Sequence, residues 1–490
     1  MGYLLAILSG GLLALPFQFP KLALVSWVGL IPFLFALEKR TSKEAFLLGW
    51  LMGFIFFISS NKWLIHPLLK FSGYPWLVCA LLVIVAFIIM GFYFAIFAWV
   101  TKSINNFLNI SILIVIPVAW VGIEFLRTIF SFQFLFGFLG YSQAFIPELI
   151  QLAQYGGVYL VSFIIVIVNT IIYLGLKGQS KKERMSYFLV ACLIFTLNYG
   201  YGRLKINNKR PIKKELEVGL VQPNIPQKIK MNPTKQGAIT SKIINLSREL
   251  IVKEDPELLI WPETAILRSY DETKKFPFRF PDDTSLLVGG FDNQEGDYLN
   301  TAFLVNKNNK IITKYSKNKL VPWGEYVPYP NLVPNFIEIN LNQITPGYKL
   351  QDFKLKNISW ITPICSEILN PLYVQKLYQN NDLIINISNE AWFEKSKAPL
   401  QILQAAIFRA VEYQVPVIKV GNTGISSVIN NQGQVLVRTK LFKTTSLSYN
   451  LKLTSKAITV YQKLGNLFGK IIFNCLLILT VITYTKYKRE

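Results

Sequence analysis

The stretch "WITPICSEILN", residues 360–370, sets an apolar, β-branched run against a polar one, with Cys365 at the boundary. That pattern predicts a strand that turns into a helix at the thiol. A sulfur near a helix N-terminus is favoured as thiolate, the form that attacks carbonyl carbon. Such a nucleophile needs a proton acceptor. His66 is the only histidine and falls near an expected membrane surface, which excludes a His-based triad or zinc site in the polar half of the chain. The acceptor must then be a carboxylate. Glu263 closes the run "LLIWPETA" as Cys365 closes its own, and strand ends on one edge of a sheet converge. A buried glutamate beside a thiol can take its proton and later return it. The oxyanion of a tetrahedral intermediate needs a positive group, and Lys317 in "KYSKNKLVPWGEYVP" follows another strand-like run. Singly, each residue has an ordinary explanation: a structural thiol, a capping glutamate, a solvated lysine. Together, in a region without histidine, they form a candidate catalytic set. The other cysteines, Cys79, Cys192 and Cys475, fall in apolar runs, so the polar half can form no internal disulfide.

Positioning such a set calls for an α/β domain, and residues 214–455 read as one. Short runs such as "LEVGLVQ", "ELLIWP", "SLLVGG", "TAFLVN", "ISWITPI", "LIINIS" and "VPVIKV" read as strands. Intervening stretches such as "GAITSKIINLSRELI" and "QILQAAIFRAVEYQ" have helical periodicity. The flanks are apolar, in a chain of 490 residues that is 52% hydrophobic. Seven segments, at 3–15, 21–37, 45–60, 77–100, 107–123, 152–176 and 185–201, predict a transmembrane domain over 1–203. An eighth predicts a C-terminal transmembrane helix at 464–484. The first segment lacks the basic start of a cleaved signal peptide and is read as a retained span.

"EKRTSKE", "TKSINN", "KGQSKKER" and "KYKRE" fall on one side if the spans alternate, which marks that side as cytoplasmic and sends the α/β domain to the other. The net charge of +23 is read as Lys and Arg facing anionic lipid. No basic stripe lies on a nucleic-acid-binding motif, so no nucleic-acid partner is expected.

Glu263, Lys317 and Cys365 resemble the Glu-Lys-Cys triad of the nitrilase superfamily. Their surroundings narrow the likeness. "WPETAI", the spacing from Tyr315 through "LVPWGEYVP", "CSEI", "NEAWF", "GNTGISS", "VQPNIPQ" and "GYSQ" resemble, in order, the motifs of the apolipoprotein N-acyltransferase family. The resemblance covers nearly the whole chain. It implies a polytopic α-helical bundle of about eight spans joined to a nitrilase-like α-β-β-α sandwich. It implies that Cys365 takes an acyl chain from a phospholipid as a thioester and passes it to the α-amine of an S-diacylglyceryl-cysteine lipoprotein. Glu263 would be general base and then acid, and Lys317 the oxyanion donor. Glu325 would orient Lys317 or share proton handling, and Glu367 would support the site geometry. No cofactor or metal is implied. The expected location is the bacterial inner membrane, with the catalytic domain in the periplasm.

Three positions depart from the family pattern: Lys319 stands where the superfamily often has histidine, Ser366 where an aromatic is frequent, and Glu390 where aspartate is common. The loops "YVPYPNLVPNF" (326–336) and "AWFEKSKAPL" (391–400) are expected near the membrane surface, admitting acyl chains. Two rival readings are a membrane-tethered amidase acting on a small amide and a degenerate domain that only binds lipoprotein. The eight spans weigh against the first, and the retained triad against the second.

Overall fold

The computed structural model describes the chain except residues 131–132, 209, 268, 271–277, 279, 281–283, 295, 328–343 and 490. Among the described residues, six helices are long and apolar enough to cross a membrane: Ser42–Lys70, Trp76–Leu108, Ile112–Ile129, Ala153–Lys177, Lys181–Asn207 and Leu467–Tyr487. The two segments ahead of them, expected as spans, are shorter. Gly2–Gln18 has 17 residues, and Pro20–Ala36 divides into a 3-10 turn and a six-residue helix. Prolines set these divisions, because a residue without an N–H starts a helix more readily than it continues one; Pro20 and Pro32 each stand at such a start. The first long helix begins with a reciprocal cap, in which Thr41 accepts from the Glu44 N–H and Glu44 accepts from that of Thr41.

The basic loops gather at one end of the bundle. Lys177 pairs with Glu38 at 3.3 Å, Lys102 donates to the Leu37 carbonyl at 3.3 Å, and Lys486 donates to that of Phe107 at 2.7 Å.

The α/β domain holds two sheets. The first runs β13-β1-β2-β4-β5-β6, with β3 (Ser269–Tyr270) paired to β4. Its strands are β1 (Ile212–Gln222), β2 (Leu258–Ile260), β4 (Ser285–Gln294), β5 (Asp297–Val305), β6 (Ile311–Ser316) and β13 (Thr445–Thr454). The second runs β12-β11-β10-β9-β8-β7. It comprises β7 (Asp352–Leu355), β8 (Ile358–Ile361), β9 (Leu383–Ser388), β10 (Val417–Gly421), β11 (Ser427–Ile429) and β12 (Val435–Arg438). Each of the seven strand-like runs read from the sequence overlaps one of these strands, and both helical stretches form helices, Gln236–Glu254 and Ala398–Tyr413.

Side-chain alternation assigns the layers. Leu258 and Ile260 of β2 join the core between the sheets. Leu259 and Trp261 join a second core under helix Gln236–Glu254, with Ile243, Leu250 and Ile251. The order is helix, sheet, sheet, helix, which is the expected sandwich.

Helix Ala398–Tyr413 buries every side chain except that of Leu400, which is half-buried. A helix buried on every face needs a neighbour on every face; this one lies between the second sheet and the helical bundle, and several of its buried polar side chains find partners there. Gln401 donates to the Ser60 carbonyl at 2.8 Å, Arg409 donates to the Tyr141 hydroxyl at 3.1 Å, and the Val158 N–H donates to Glu412 at 3.1 Å. Arg409 and Glu412 pair with each other in the same buried interface. Removing one partner of such a pair costs about 3–5 kcal/mol, since a bare charge stays behind.

Candidate active site

Glu263 and Lys317 come from the first sheet and Cys365 from the second. The sequence reading placed the acid and thiol at one edge of one sheet. They meet instead between the ends of two facing sheets, because β2 and β8 belong to different layers.

Glu263 follows β2 across Trp261 and Pro262 and is buried. Its Oε1 accepts from Asn300 Nδ2 at 2.7 Å, and its Oε2 accepts from the Asn389 backbone N–H at 2.7 Å. Gly289 of β4 lets this strand end pass close overhead: a Cβ there would lie 2.6 Å from the Glu263 Cα. Lys317 follows β6 and is 1% exposed. Its N–H donates to the Asn300 carbonyl at 2.7 Å, while its Nζ lies 2.7 Å from Glu325 Oε1 and 3.6 Å from Glu263 Oε1. Burial alone would lower the Lys317 pKa, but the Glu325 and Glu263 carboxylates outweigh it and hold the ammonium above the usual lysine range. Glu325 is fixed in turn by the Val321 N–H at 2.8 Å.

Cys365 is buried and adopts φ +51, a left-handed conformation that costs a non-glycine residue about 1–3 kcal/mol and is held only where the surroundings enforce it. It opens a five-residue 3-10 helix, Cys365–Leu369, rather than a full α-helix. The expectation of a helix-stabilised thiolate is therefore corrected. Burial pushes the Cys365 pKa well above its usual value, the Glu263 carboxylate pushes the same way, and Lys317 opposes them.

Glu367 stitches the nucleophile's turn to the lysine's. One carboxylate oxygen accepts from the Ile364 N–H and the Tyr315 hydroxyl, both at 2.8 Å. The other accepts from the N–H groups of Asn318 at 2.8 Å and Lys319 at 2.9 Å. Burial raises its pKa to about 7 even against the Lys319, Ile364 and Tyr315 donors and the Lys317 charge. Lys319 contributes its backbone, while its side chain is exposed.

The departure at Glu390 is accommodated by a buried cation, although its charge still bears on the Cys365 thiol. Its carboxylate pairs with the fully buried Lys419 and accepts from the Ser388 hydroxyl at 2.7 Å. Of the two expected lipid-admitting loops, 328–336 lie outside the described residues. The other packs on the bundle: the Phe393 ring meets Trp63 at 5.0 Å, Glu394 pairs with Lys70, and residues 398–400 begin the docking helix.

The sequence reading missed Asn300, Asn389 and Lys230. Asn300 donates to Glu263 and, at 3.4 Å, to Glu325. A polar residue inside the otherwise apolar run "YLNTAFLV" was the available signal. Asn389 lies in the quoted motif "NEAWF" but acts through its backbone, which no residue type reveals.

A sequence profile described as the apolipoprotein N-acyltransferase N-terminal domain matches residues 9–171, and one described as carbon-nitrogen hydrolase matches residues 281–455. The second covers Lys317 and Cys365 and begins after Glu263. Proteins named apolipoprotein N-acyltransferase align along nearly the whole chain. The one from Geobacter metallireducens is 30% identical over 486 residues, 95% of this chain and 92% of that protein. Those from Rickettsia prowazekii and Vibrio vulnificus are 28% and 26% identical, each over 94% of this chain and over 94% and 93% of their own. With its helical bundle, its two-sheet sandwich and its buried carboxylate–lysine array beside a cysteine, the chain belongs to the apolipoprotein N-acyltransferase family.

Proposed function

We propose that this protein moves an acyl chain from a phospholipid to the N-terminal amine of a diacylglyceryl lipoprotein, with Cys365 as the covalent carrier. The observation that carries the reading is the buried contact of Lys317 with Glu325 and Glu263, both of whose charges bear on the Cys365 thiol.

In the first step the Cys365 proton passes to Glu263 as sulfur attacks the ester carbonyl carbon. Lys317 faces the developing oxyanion, a role in which losing one donor costs about 10²–10³ in rate. The carbonyl–oxygen bond then breaks, and Glu263 returns its proton to the departing lysophospholipid alkoxide. In the second step the lipoprotein amine attacks the thioester and yields a proton to Glu263. The carbon–sulfur bond breaks, and the proton returns to sulfur. Dividing the transfer this way replaces one hard step by two easier ones. Glu325 keeps Lys317 charged and oriented, and Glu367 holds the nucleophile's turn.

Both substrates are lipids, which gives the membrane bundle its purpose. The catalytic domain docks at the bundle end opposite the basic loops, and the positive-inside bias supports the reading that it faces the periplasm from a bacterial inner membrane. Incubating the purified protein with acyl-labelled phospholipid and a diacylglyceryl-cysteine peptide tests the function. Label in triacylated peptide is expected; label appearing only as free fatty acid would identify a hydrolase instead.

A further inference from the structure

A buried lysine lies against Glu263 and takes no part in the reaction set out above. Lys230 ends the short helix Gln227–Lys230 and is 3% exposed. Its Nζ donates to the Glu263 carbonyl at 3.0 Å and to the Thr264 hydroxyl at 2.6 Å. Neither acceptor carries a charge. An ammonium taken out of water without an ion partner is costly, so a side chain that only filled space here would be apolar. Burial lowers the Lys230 pKa to about 7, against the nearby Glu263 carboxylate, which raises it.

What the lysine holds is a strained turn. Thr264 has φ +46, a conformation that a β-branched residue rarely adopts. Such strain persists only where neighbours over-determine it. The same helical turn reaches the other side of the base. Gln227 Oε1 accepts from Asn389 Nδ2 at 3.0 Å, and the Asn389 backbone N–H donates to Glu263 Oε2 at 2.7 Å. One short segment therefore grips Glu263 twice, at its main chain through Lys230 and at its carboxylate through Asn389.

We propose that Lys230 is a positioning residue: by tying the Glu263 carbonyl and the Thr264 hydroxyl it fixes the strained turn and sets where the Glu263 carboxylate meets the Cys365 thiol. The proposal rests on the acyl-transfer reading. A misplaced group of about 1 Å can cost about 10²-fold in rate without weakening substrate binding.

The test uses the full-length protein in phospholipid mixed micelles and follows acylation of Cys365 in a single turnover. Lys230→Met removes the donor at similar length, and Thr264→Val removes one acceptor while keeping the β-branch. Lys230→Met is expected to slow acylation at saturating phospholipid by about tenfold or more, with the phospholipid KM changed by less than about threefold. Thr264→Val should lose less, and the double variant should be no slower than Lys230→Met, because both act through one turn. Wild-type acylation by Lys230→Met, a loss confined to KM, or losses that multiply in the double variant would each overturn the proposal. If Lys230→Met does not fold, wild-type acylation by Thr264→Val overturns it. A wild-type protein that takes no acyl group would instead overturn the underlying reaction.

Discussion

Cys365 is buried beside a carboxylate that disfavours its thiolate. Glu263→Gln removes that negative charge and leaves Lys317 in place. The sign follows directly: with one anion fewer, the thiolate is less costly, so alkylation of Cys365 by iodoacetamide should move to lower pH. Acyl-enzyme formation should nevertheless fall by about 10²–10⁴, the usual weight of a general base. Peptide-resolved mass spectrometry separates Cys365 from the exposed Cys192 and Cys475; an alkylation profile moved to higher pH, or undiminished acylation, would refute this account of Glu263. The two nearby lysines should differ sharply. Lys317 is buried between carboxylates and Lys319 is exposed, so Lys317→Met should cost about 10²–10³ in initial rate and Lys319→Met little. An equal loss at Lys319 would show the wrong residue had been assigned. The candidate residues Glu263, Lys317 and Cys365 were legible because few types do this chemistry and residues 214–455 hold no histidine. Asn300 and Lys230 were not, since an amide within a strand and a lysine within a basic stretch look ordinary until burial is known.

The strands were readable as elements, because alternation and β-branching report a pleated, covered surface. Their division into two sheets was not. Which strands pair depends on contacts distant in sequence, such as β1 with β13, and Glu263 was consequently placed on the wrong sheet relative to Cys365. The helix after Cys365 was overestimated for a related reason: "CSEILN" starts like a helix, but Pro371 soon begins a new one, leaving five residues of 3-10. Gly289 shows how closely the elements are set. Gly289→Ala places a methyl group 2.6 Å from the Glu263 Cα, which must shift that strand end. We expect a loss of stability of about 1–3 kcal/mol and a drop in acylation larger than the change in melting temperature explains. Full activity with an unchanged melting transition would mean that the turn yields freely.

At the scale of the whole molecule, orientation depends on how many helices cross the membrane before the catalytic domain. Eight spans were expected, and six helices reach spanning length among the described residues. Five of these precede the catalytic domain, and an odd number of crossings would put the domain opposite the loop at Lys39–Arg40 whatever the two shorter segments do. Hydropathy recorded how apolar those segments are but not where their helices break. Alkaline phosphatase fused near residue 210 should be active, and a fluorescent protein fused at the C-terminus should fluoresce. The reverse pattern would place Cys365 in the cytoplasm, away from its acceptor. The most direct test of the central claim is the intact mass of the protein after incubation with a phospholipid of defined acyl chains. The account predicts a gain of one acyl group, located at Cys365, absent in Cys365→Ser and discharged on adding a diacylglyceryl-cysteine peptide. A protein that makes triacylated peptide without ever carrying that mass, or a Cys365→Ser variant that makes it at the wild-type rate, would contradict the covalent mechanism.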